Sequence, residues 1–85
     1  MARVLLTSSA ERDYKKLPPG ERAHIRAVFD GGFAERPFAS EFHTRKLQEP
    51  LAGYRLRVGE YRVLFEFEDD TIVVYRIRHR KDVYR

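Results

Sequence analysis

The chain of 85 residues contains no cysteine, no tryptophan and a single methionine, and it has no long apolar run. Without cysteine, neither a disulfide framework nor a thiolate metal site can form, so a cytoplasmic location is the simplest expectation. No apolar stretch approaches the roughly 18 residues that a membrane-spanning helix needs, and the "VLL" near the start is too short for a signal peptide. These absences point to a small domain that functions as translated.

Several motifs that mark enzyme classes are also missing. The sequence has no glycine-rich phosphate loop, no nucleophile elbow and no Cys/His spacing typical of a metal site. The histidines, His24, His43 and His79, lie far apart, and each is interpreted as a partly exposed surface residue rather than a metal ligand. We therefore expect neither a resident metal nor another cofactor.

The residues that are abundant are aromatic and basic. Five Tyr and six Phe supply bulky core material, which is enough for one small domain over residues 1–85. The net charge of +4 favours a polyanionic partner, such as nucleic acid, an acidic protein or an anionic surface. Arginine, which suits phosphate contact, greatly outnumbers lysine in the last third of the chain. These arginines are Arg55, Arg57, Arg62, Arg76, Arg78, Arg80 and Arg85.

Local patterns in the first half predict a strand followed by two helices. "ARVLLT" favours a strand, and "SSAERDYKKL" favours a helix with a capping box formed by Ser8 and Glu11. A second helix is expected to begin at Pro19 and to end at Gly31. Residues 33–53 lack periodicity and are interpreted as an irregular connection with a short turn.

Strict alternation from Tyr54 onward predicts a hairpin closed by Gly59-Glu60. Its core face holds Tyr54, Leu56, Val58, Tyr61, Val63, Phe65 and Phe67. Its opposite face holds Arg55, Arg57, Arg62, Leu64 and Glu66, and is called the arginine face below.

"TIVVYRIR" predicts a third antiparallel strand, whose register depends on the preceding loop. A three-residue loop would place Val73, Tyr75 and Ile77 in the core, with Arg76 and Arg78 on the arginine face. A two-residue loop would bury the two arginines instead, so we expect three residues.

The predicted architecture is α+β, in the order β-α-α-β-β-β, with two helices on one face of a small, mainly antiparallel sheet. The other face is left open and basic, with Arg57 directly opposite Arg62. Like charges in that position destabilise a sheet. An anion lying across them would remove the repulsion.

One reaction suited to such a face is the cleavage of RNA. The ribose 2′-OH can attack the adjacent phosphorus if the geometry is in line and the developing charge is neutralised, which arginines do well. Tyr84 is a candidate for proton transfer, because cationic neighbours would lower its pKa. The alternative from the residues alone is a solvated face, or one that binds an acidic partner, with Tyr84 anchoring the tail.

The segments "YRLRVGEYRV", "HRKDVYR" and "ERDYKKLP" resemble the RelE/ParE toxin superfamily, particularly its RelE-like mRNA interferases, over nearly the whole chain. The resemblance implies a RelE-like toxin domain that enters the ribosomal A site and cuts mRNA, leaving a 2′,3′-cyclic phosphate and a 5′-OH. The implied partners are mRNA, ribosomal RNA and a cognate antitoxin, with operator DNA reached only through the antitoxin and no membrane involved.

The resemblance also implies roles for individual residues. It assigns Arg62 and Arg80 to the scissile phosphate and Tyr84 to base stacking or orientation of the nucleophile, and these form the catalytic set. The expected RNA-binding residues are Arg55, Arg57, Arg78 and Lys81. Many relatives have lysine at 55 and 57, and arginine hardly deprotonates, so these positions suit binding better than proton transfer. Some relatives use a Glu/His pair, to which Glu41, His43 and His79 are weak counterparts.

Two other functions are compatible with this resemblance. A ParE-like inhibitor of DNA gyrase would have the same fold and act by protein binding, without nuclease chemistry. A degenerate member would serve only as the DNA-binding partner of its antitoxin. The joint presence of Arg62, Arg80 and Tyr84 favours the nuclease over the gyrase inhibitor.

Overall fold

The computed structural model describes residues 3–39, 42–48 and 52–82 of the chain. In order, these residues form β1 (Arg3–Leu6), α1 (Ser8–Lys16), α2 (Pro19–Asp30), a 3₁₀ turn (Gly32–Ala34), β2 (Thr44–Lys46), β3 (Tyr54–Val58), β4 (Tyr61–Glu68) and β5 (Thr71–His79). The strands form one sheet in the order β1-β5-β4-β3-β2, in which β1 is parallel to β5 and the other pairs are antiparallel. The α+β prediction is confirmed. None of the helices in these ranges is long and apolar enough to cross a membrane.

The two helices lie close to their predicted positions. The N-cap of α1 is Thr7, whose hydroxyl accepts a hydrogen bond from the Ala10 N–H at 3.2 Å. The cap is therefore one residue before the predicted Ser8, because the Thr7 backbone is extended whereas Ser8 is already helical. As predicted, α2 begins at Pro19 and its C-cap is Gly31.

The core lies between the helices and one face of the sheet. The largest fully buried side chains are Phe33, Phe65, Ile25, Leu56, Ile72, Val63 and Val74. Phe33 joins the helical layer to the sheet, because its ring meets that of Phe65 edge-on with centroids 5.3 Å apart. The predicted core face of β3 and β4 is confirmed, with Tyr54, Tyr61 and Phe67 packing at its margin.

Strand β2 was not predicted, because its segment was interpreted as irregular. The three residues of β2 are polar and show no alternation of polar and apolar side chains. Contacts with distant residues hold the strand in place instead. The Leu47 N–H donates to the Gly53 carbonyl at 2.9 Å, and Leu47 packs against Leu64. Gly53 has φ +91° and lies so close to the Phe65 carbonyl that a Cβ would collide with it. These contacts hold the segment against β3.

The predicted three-residue loop between β4 and β5 is wrong. The loop is Asp69-Asp70, and both residues have positive φ, at 52° and 58°, as a type I′ turn requires. Ile72 and Val74 are consequently fully buried, whereas Val73 and Tyr75 are only partly buried.

A β-bulge at Tyr75 prevents the burial of arginine that this shorter loop would have caused. Leu64 pairs with Arg76 and Phe65 with Val74, which leaves Tyr75 as an extra residue in β5. Tyr75 packs with Leu47 and Leu64, and its hydroxyl donates to the Ala52 carbonyl at 2.5 Å. Beyond the bulge Ile77 returns to the core as predicted.

Candidate nucleic-acid interface

A row of three arginines crosses the middle of the sheet. Arg57 on β3 pairs with Arg62 on β4, as predicted, and Arg62 pairs with Arg78 on β5. Side chains opposite each other on neighbouring strands have Cβ atoms about 5 Å apart. The structure therefore brings together residues that are up to 21 positions apart in the chain (78 − 57 = 21).

Arg62 lies at the centre of this row, and its backbone contacts are local. Its Nη1 group donates to the carbonyl oxygens of Tyr61 and Gly59, at 3.0 and 3.2 Å. Burial and then the charges of Arg57, Arg55 and Arg80 lower the pKa of Arg62 from its ordinary value, while Glu60 acts in the opposite direction. Arg62 therefore experiences a positive potential from three other arginines.

Arg80 joins this group from the turn that follows β5. Its backbone N–H donates to the Glu60 carbonyl at 2.7 Å, which fixes it beside the β3–β4 turn. Its Nε forms an ion pair with the Glu60 carboxylate at 2.6 Å, and the two side chains are 56% and 60% exposed. A single contact through Nε aligns the guanidinium group and leaves it accessible to solvent and to a ligand.

Other predicted residues lie near this group or beyond the described residues. Lys81 is exposed, and its backbone N–H donates to Nδ1 of His79 at 3.2 Å. The His79 ring meets the Tyr61 ring edge-on, with centroids 5.4 Å apart. Tyr84 and Glu41 are outside the described residues, so their predicted roles stay predictions.

The remaining histidines are on the surface. His24 is exposed on α2, and His43 is exposed just before β2, where its φ is +49°. Within the described ranges, no three or more His, Asp or Glu side chains are grouped so that they could hold a metal ion.

A second row of basic residues was missed by the sequence reasoning. Arg45 on β2 pairs with Arg55 on β3, next to Lys46. Both Arg45 and Lys46 are exposed. The segment gave no signal of a strand, so nothing in the sequence placed Arg45 beside Arg55.

Arg76, which was predicted to join the arginine face, binds the first helix instead. Its Nε and Nη2 groups donate to the two carboxylate oxygens of Asp13, at 2.9 and 3.2 Å. The same carboxylate accepts a hydrogen bond from the Ile77 N–H at 2.9 Å. The pairing of β5 with β1 ends at Val74, so β1 offers no acceptor at this point. This arginine fixes α1 to the sheet.

The arrangement is suited to binding an anion with several oxygen atoms. Arg55, Arg57, Arg62 and Arg80 surround one region of the sheet, and their mutual repulsion is relieved when a negative group lies among them. A phosphate that gains charge in a transition state would be stabilised more than one that does not.

The chain is similar to known toxins of type II toxin-antitoxin systems. The family described as the ParE toxin of type II toxin-antitoxin systems matches residues 4–84. The toxin RelG of Mycobacterium tuberculosis is 35% identical over 85 residues, covering 96% of this chain and 94% of RelG. The toxin RelE3 of Methanocaldococcus jannaschii is 31% identical over 87 residues, again covering 96% of this chain and 94% of the relative.

Solved structures give the same result. The toxin-antitoxin complex RelBE2 of M. tuberculosis contains a chain with a TM-score of 0.80 and 32% identity, covering 92% of this chain and 96% of that one. The RelB–RelE complex of Methanococcus jannaschii contains one with a TM-score of 0.77 and 28% identity, covering 94% of each chain. The protein thus belongs to the ParE toxin family of type II toxin-antitoxin systems, and its relatives include toxins of the RelE type.

Proposed function

We propose that this toxin is a ribosome-dependent endoribonuclease that cleaves mRNA in the A site. The 2′ oxygen of a ribose attacks the adjacent phosphorus while the bond from phosphorus to the 5′ oxygen breaks. The 2′-OH proton passes to a base, and the departing 5′ oxygen gains a proton. The products are a 2′,3′-cyclic phosphate and a 5′-OH.

The observation that carries this proposal is the convergence of Arg57, Arg62 and Arg80 from three parts of the chain. Arg62 and Arg80 contact the scissile phosphate and offset the charge that develops on its oxygens. Arg55, Arg57, Arg78 and Lys81 bind the flanking RNA. No metal ion is required, because the nucleophile belongs to the substrate and the guanidinium groups supply the positive charge.

The base that accepts the 2′-OH proton is assigned to Tyr84. His79 is the nearby alternative, but its Nδ1 accepts the Lys81 N–H at 3.2 Å. If Nδ1 of a neutral imidazole accepts a hydrogen bond, the ring proton is on Nε2. Neither nitrogen then has a free lone pair to accept the 2′-OH proton. This contact favours Tyr84 over His79.

The proposed partners follow from the family. In solved structures of similar proteins, RelB antitoxins form complexes with RelE toxins, and we extend such a complex to this chain. In the cytoplasm the toxin would be held inactive by its cognate antitoxin, through which alone it would reach operator DNA. Once released, it would bind ribosomal RNA and mRNA.

A second function is favoured by one observation, which is that the matching family carries the ParE description. A ParE-like toxin would inhibit DNA gyrase through protein contacts. The arginine row and Arg80 have no necessary part in that activity, whereas phosphate chemistry needs them.

The test is to add purified toxin to programmed ribosomes and to map the new RNA ends. We expect cuts within the A-site codon that require the ribosome and leave a 2′,3′-cyclic phosphate. Arg62→Ala should abolish most cutting, and Arg26→Ala, which alters an exposed arginine on α2, should not. Intact mRNA together with inhibited gyrase supercoiling would establish the alternative.

A further inference from the structure

We propose that Glu60 is a positioning residue for cleavage, which holds Arg80 so that its guanidinium group and that of Arg62 face the same phosphate. The inference rests on the proposed function and adds to it a residue that the sequence pattern indicated only as part of a turn. In this role Glu60 does not contact the RNA, and it acts through Arg80.

Glu60 holds Arg80 at two points. The Arg80 backbone N–H donates to the Glu60 carbonyl at 2.7 Å, and the Arg80 Nε lies 2.6 Å from the Glu60 carboxylate. The first contact fixes the backbone of Arg80, and the second restricts the rotation of its side chain. An arginine side chain has many rotamers when it is free, so the second contact reduces the conformational entropy that is lost when the guanidinium group binds a phosphate.

The same turn also orients Arg62. Its Nη1 group donates to the carbonyl oxygens of Gly59 and Tyr61, the residues on either side of Glu60. Three consecutive residues of the β3–β4 turn therefore contact the two arginines that are assigned to the scissile phosphate. Arg62 belongs to β4 and Arg80 to the turn after β5, so this shared support fixes the two guanidinium groups relative to each other.

The contact leaves most of the Arg80 guanidinium group open to a ligand. It uses Nε, whereas four of the five N–H donors of a guanidinium group are on the two Nη atoms. The side chains of Arg80 and Glu60 are 56% and 60% exposed, so a phosphate can approach from solvent. Glu60 therefore orients the arginine without occupying the groups that bind phosphate oxygens in the proposed complex.

The negative charge of Glu60 points to orientation rather than to binding. A carboxylate beside two arginines lowers the net positive charge of the group and weakens its attraction for a phosphate. Burial and the charges of Arg57, Arg55 and Arg80 lower the pKa of Arg62, and the charge of Glu60 opposes them. Loss of Glu60 should therefore impair the reaction of the bound complex and not its formation.

The experiment measures single-turnover cleavage on programmed ribosomes for Glu60→Ala, Arg80→Ala and the double variant. Glu60→Ala should lower the maximal rate about tenfold, less than the roughly 10²-fold loss for a group displaced by 1 Å, because the backbone contact to Arg80 remains. The ribosome concentration for half-maximal rate should not rise. In the double variant, Glu60→Ala should add no further loss to that of Arg80→Ala, because a positioning residue has no effect once its partner is absent.

Two further measurements separate orientation from a purely structural role. The amide oxygen of Glu60→Gln can still accept from Nε but carries no charge, so its maximal rate should lie between those of Glu60→Ala and wild type. NMR relaxation of the Arg80 Nε–H group in the free toxin should show greater mobility in Glu60→Ala than in wild type. Thermal unfolding should show that every variant is folded.

The matched control is Glu21→Ala, which removes the same charge from a residue of α2 beside the same turn. A Glu21 carboxylate oxygen lies 4.0 Å from the place that a Cβ on Gly59 would occupy. Within residues 3–39, 42–48 and 52–82, Glu21 forms no ion pair. Glu21→Ala should change neither the cleavage rate nor the mobility of Arg80.

An additional loss in the double variant would overturn the proposal, because Glu60 would then act independently of Arg80, as a proton acceptor would. A wild-type maximal rate in Glu60→Ala, or unchanged mobility of the Arg80 Nε–H group, would overturn it as well. A wild-type toxin that fails to cut mRNA would instead refute the nuclease function and with it the catalytic role of Glu60. The NMR measurement on the free toxin would then still test whether Glu60 holds Arg80.

Discussion

Two arginine–carboxylate pairs at the end of β5 have the same chemistry but opposite surroundings. Arg76 meets Asp13 through two hydrogen bonds, and the Asp13 side chain is only 15% exposed. Arg80 meets Glu60 through one contact, and both side chains are more than half exposed. Arg76 lies in β5 and Arg80 in the turn after it, with only three residues, 77–79, between them.

The difference shows that partners, rather than residue type, decide what an arginine does. The Asp13 carboxylate also accepts the Ile77 N–H, so the Arg76 pair is part of the packing between α1 and the sheet. The Glu60 pair is screened by water and contributes little to stability. Arg80 therefore remains accessible to solvent, whereas the Nε and Nη2 groups of Arg76 are engaged by Asp13.

The largest expected difference between the two pairs is in how substitution of their arginines changes cleavage. Arg80→Ala should slow single-turnover cleavage on programmed ribosomes by about 10²-fold or more, because it removes charge stabilisation from the transition state. Arg76→Ala, the matched control, should lower the melting temperature and leave the cleavage rate of the folded fraction nearly unchanged. Equal losses of cleavage in both variants would contradict the distinction.

Arg62→Ala is expected to remove most toxicity while leaving the fold intact or slightly more stable. The substitution relieves repulsion from Arg57, its neighbour across the strands, and from Arg55 and Arg80. A growth assay combined with thermal unfolding measures both effects. A clear loss of stability with toxicity retained would show that Arg62 has a structural role through its bonds to the β3–β4 turn.

For Tyr84, we predict a severe loss of cleavage in Tyr84→Ala and an intermediate loss in Tyr84→Phe. The phenylalanine variant keeps a ring for stacking but lacks the hydroxyl for proton transfer. Single-turnover rates on ribosomes distinguish these contributions. Wild-type rates for both Tyr84→Ala and Arg80→Ala would refute the assigned active site and favour gyrase inhibition.

Asp13→Ala should destabilise the protein by about 1–3 kcal/mol, because the Ile77 N–H and the Arg76 guanidinium both lose an acceptor. Urea unfolding measures the change. If the proposed function is correct, the folded fraction should still bind and cleave mRNA, since Asp13 lies on α1 and not among the arginines proposed to be catalytic. An unchanged unfolding midpoint would show that the pair is dispensable.

Glu60→Gln should give the smallest effect on stability, under about 1 kcal/mol, because an exposed ion pair is largely screened. The same urea experiment provides the measurement, with Asp13→Ala as the reference. A loss as large as that of Asp13→Ala would mean that Glu60 and Asp13 have equivalent structural roles.

The sequence was sufficient wherever alternation and a local turn signal agreed. The pairing of β3 with β4 follows from Gly59-Glu60 and a strict period of two, and it predicted Arg57 opposite Arg62 correctly. The start of α2 at Pro19 and its end at Gly31 were predicted for the same reason, since both residues act on their own backbone.

What could not be predicted depends on distant contacts. Strand β2 is held by pairing to β3 and by Leu47, so its three polar residues gave no pattern. The carboxylate of Asp13 is 63 positions from Arg76, and no local rule joins them. The position of Arg45 beside Arg55 was not predicted, because it exists only once β2 has formed.

The bulge at Tyr75 has a consequence for how the toxin tolerates change. Residues 71–74 follow the alternation set by the Asp69-Asp70 turn, whereas Ile77 and Arg78 follow the alternation that faces Val63 and Arg62. Because Tyr75 is an extra residue, the two halves of β5 can each keep their own alternation of side chains between the two faces of the sheet. Deleting Tyr75 would force a choice between them, so that either Ile72 and Val74 leave the core or Ile77 leaves the core and Arg78 leaves the face that Arg62 occupies. A change in the length of the Asp69-Asp70 loop is therefore compatible with an intact arginine row only if the bulge gains or loses a residue with it.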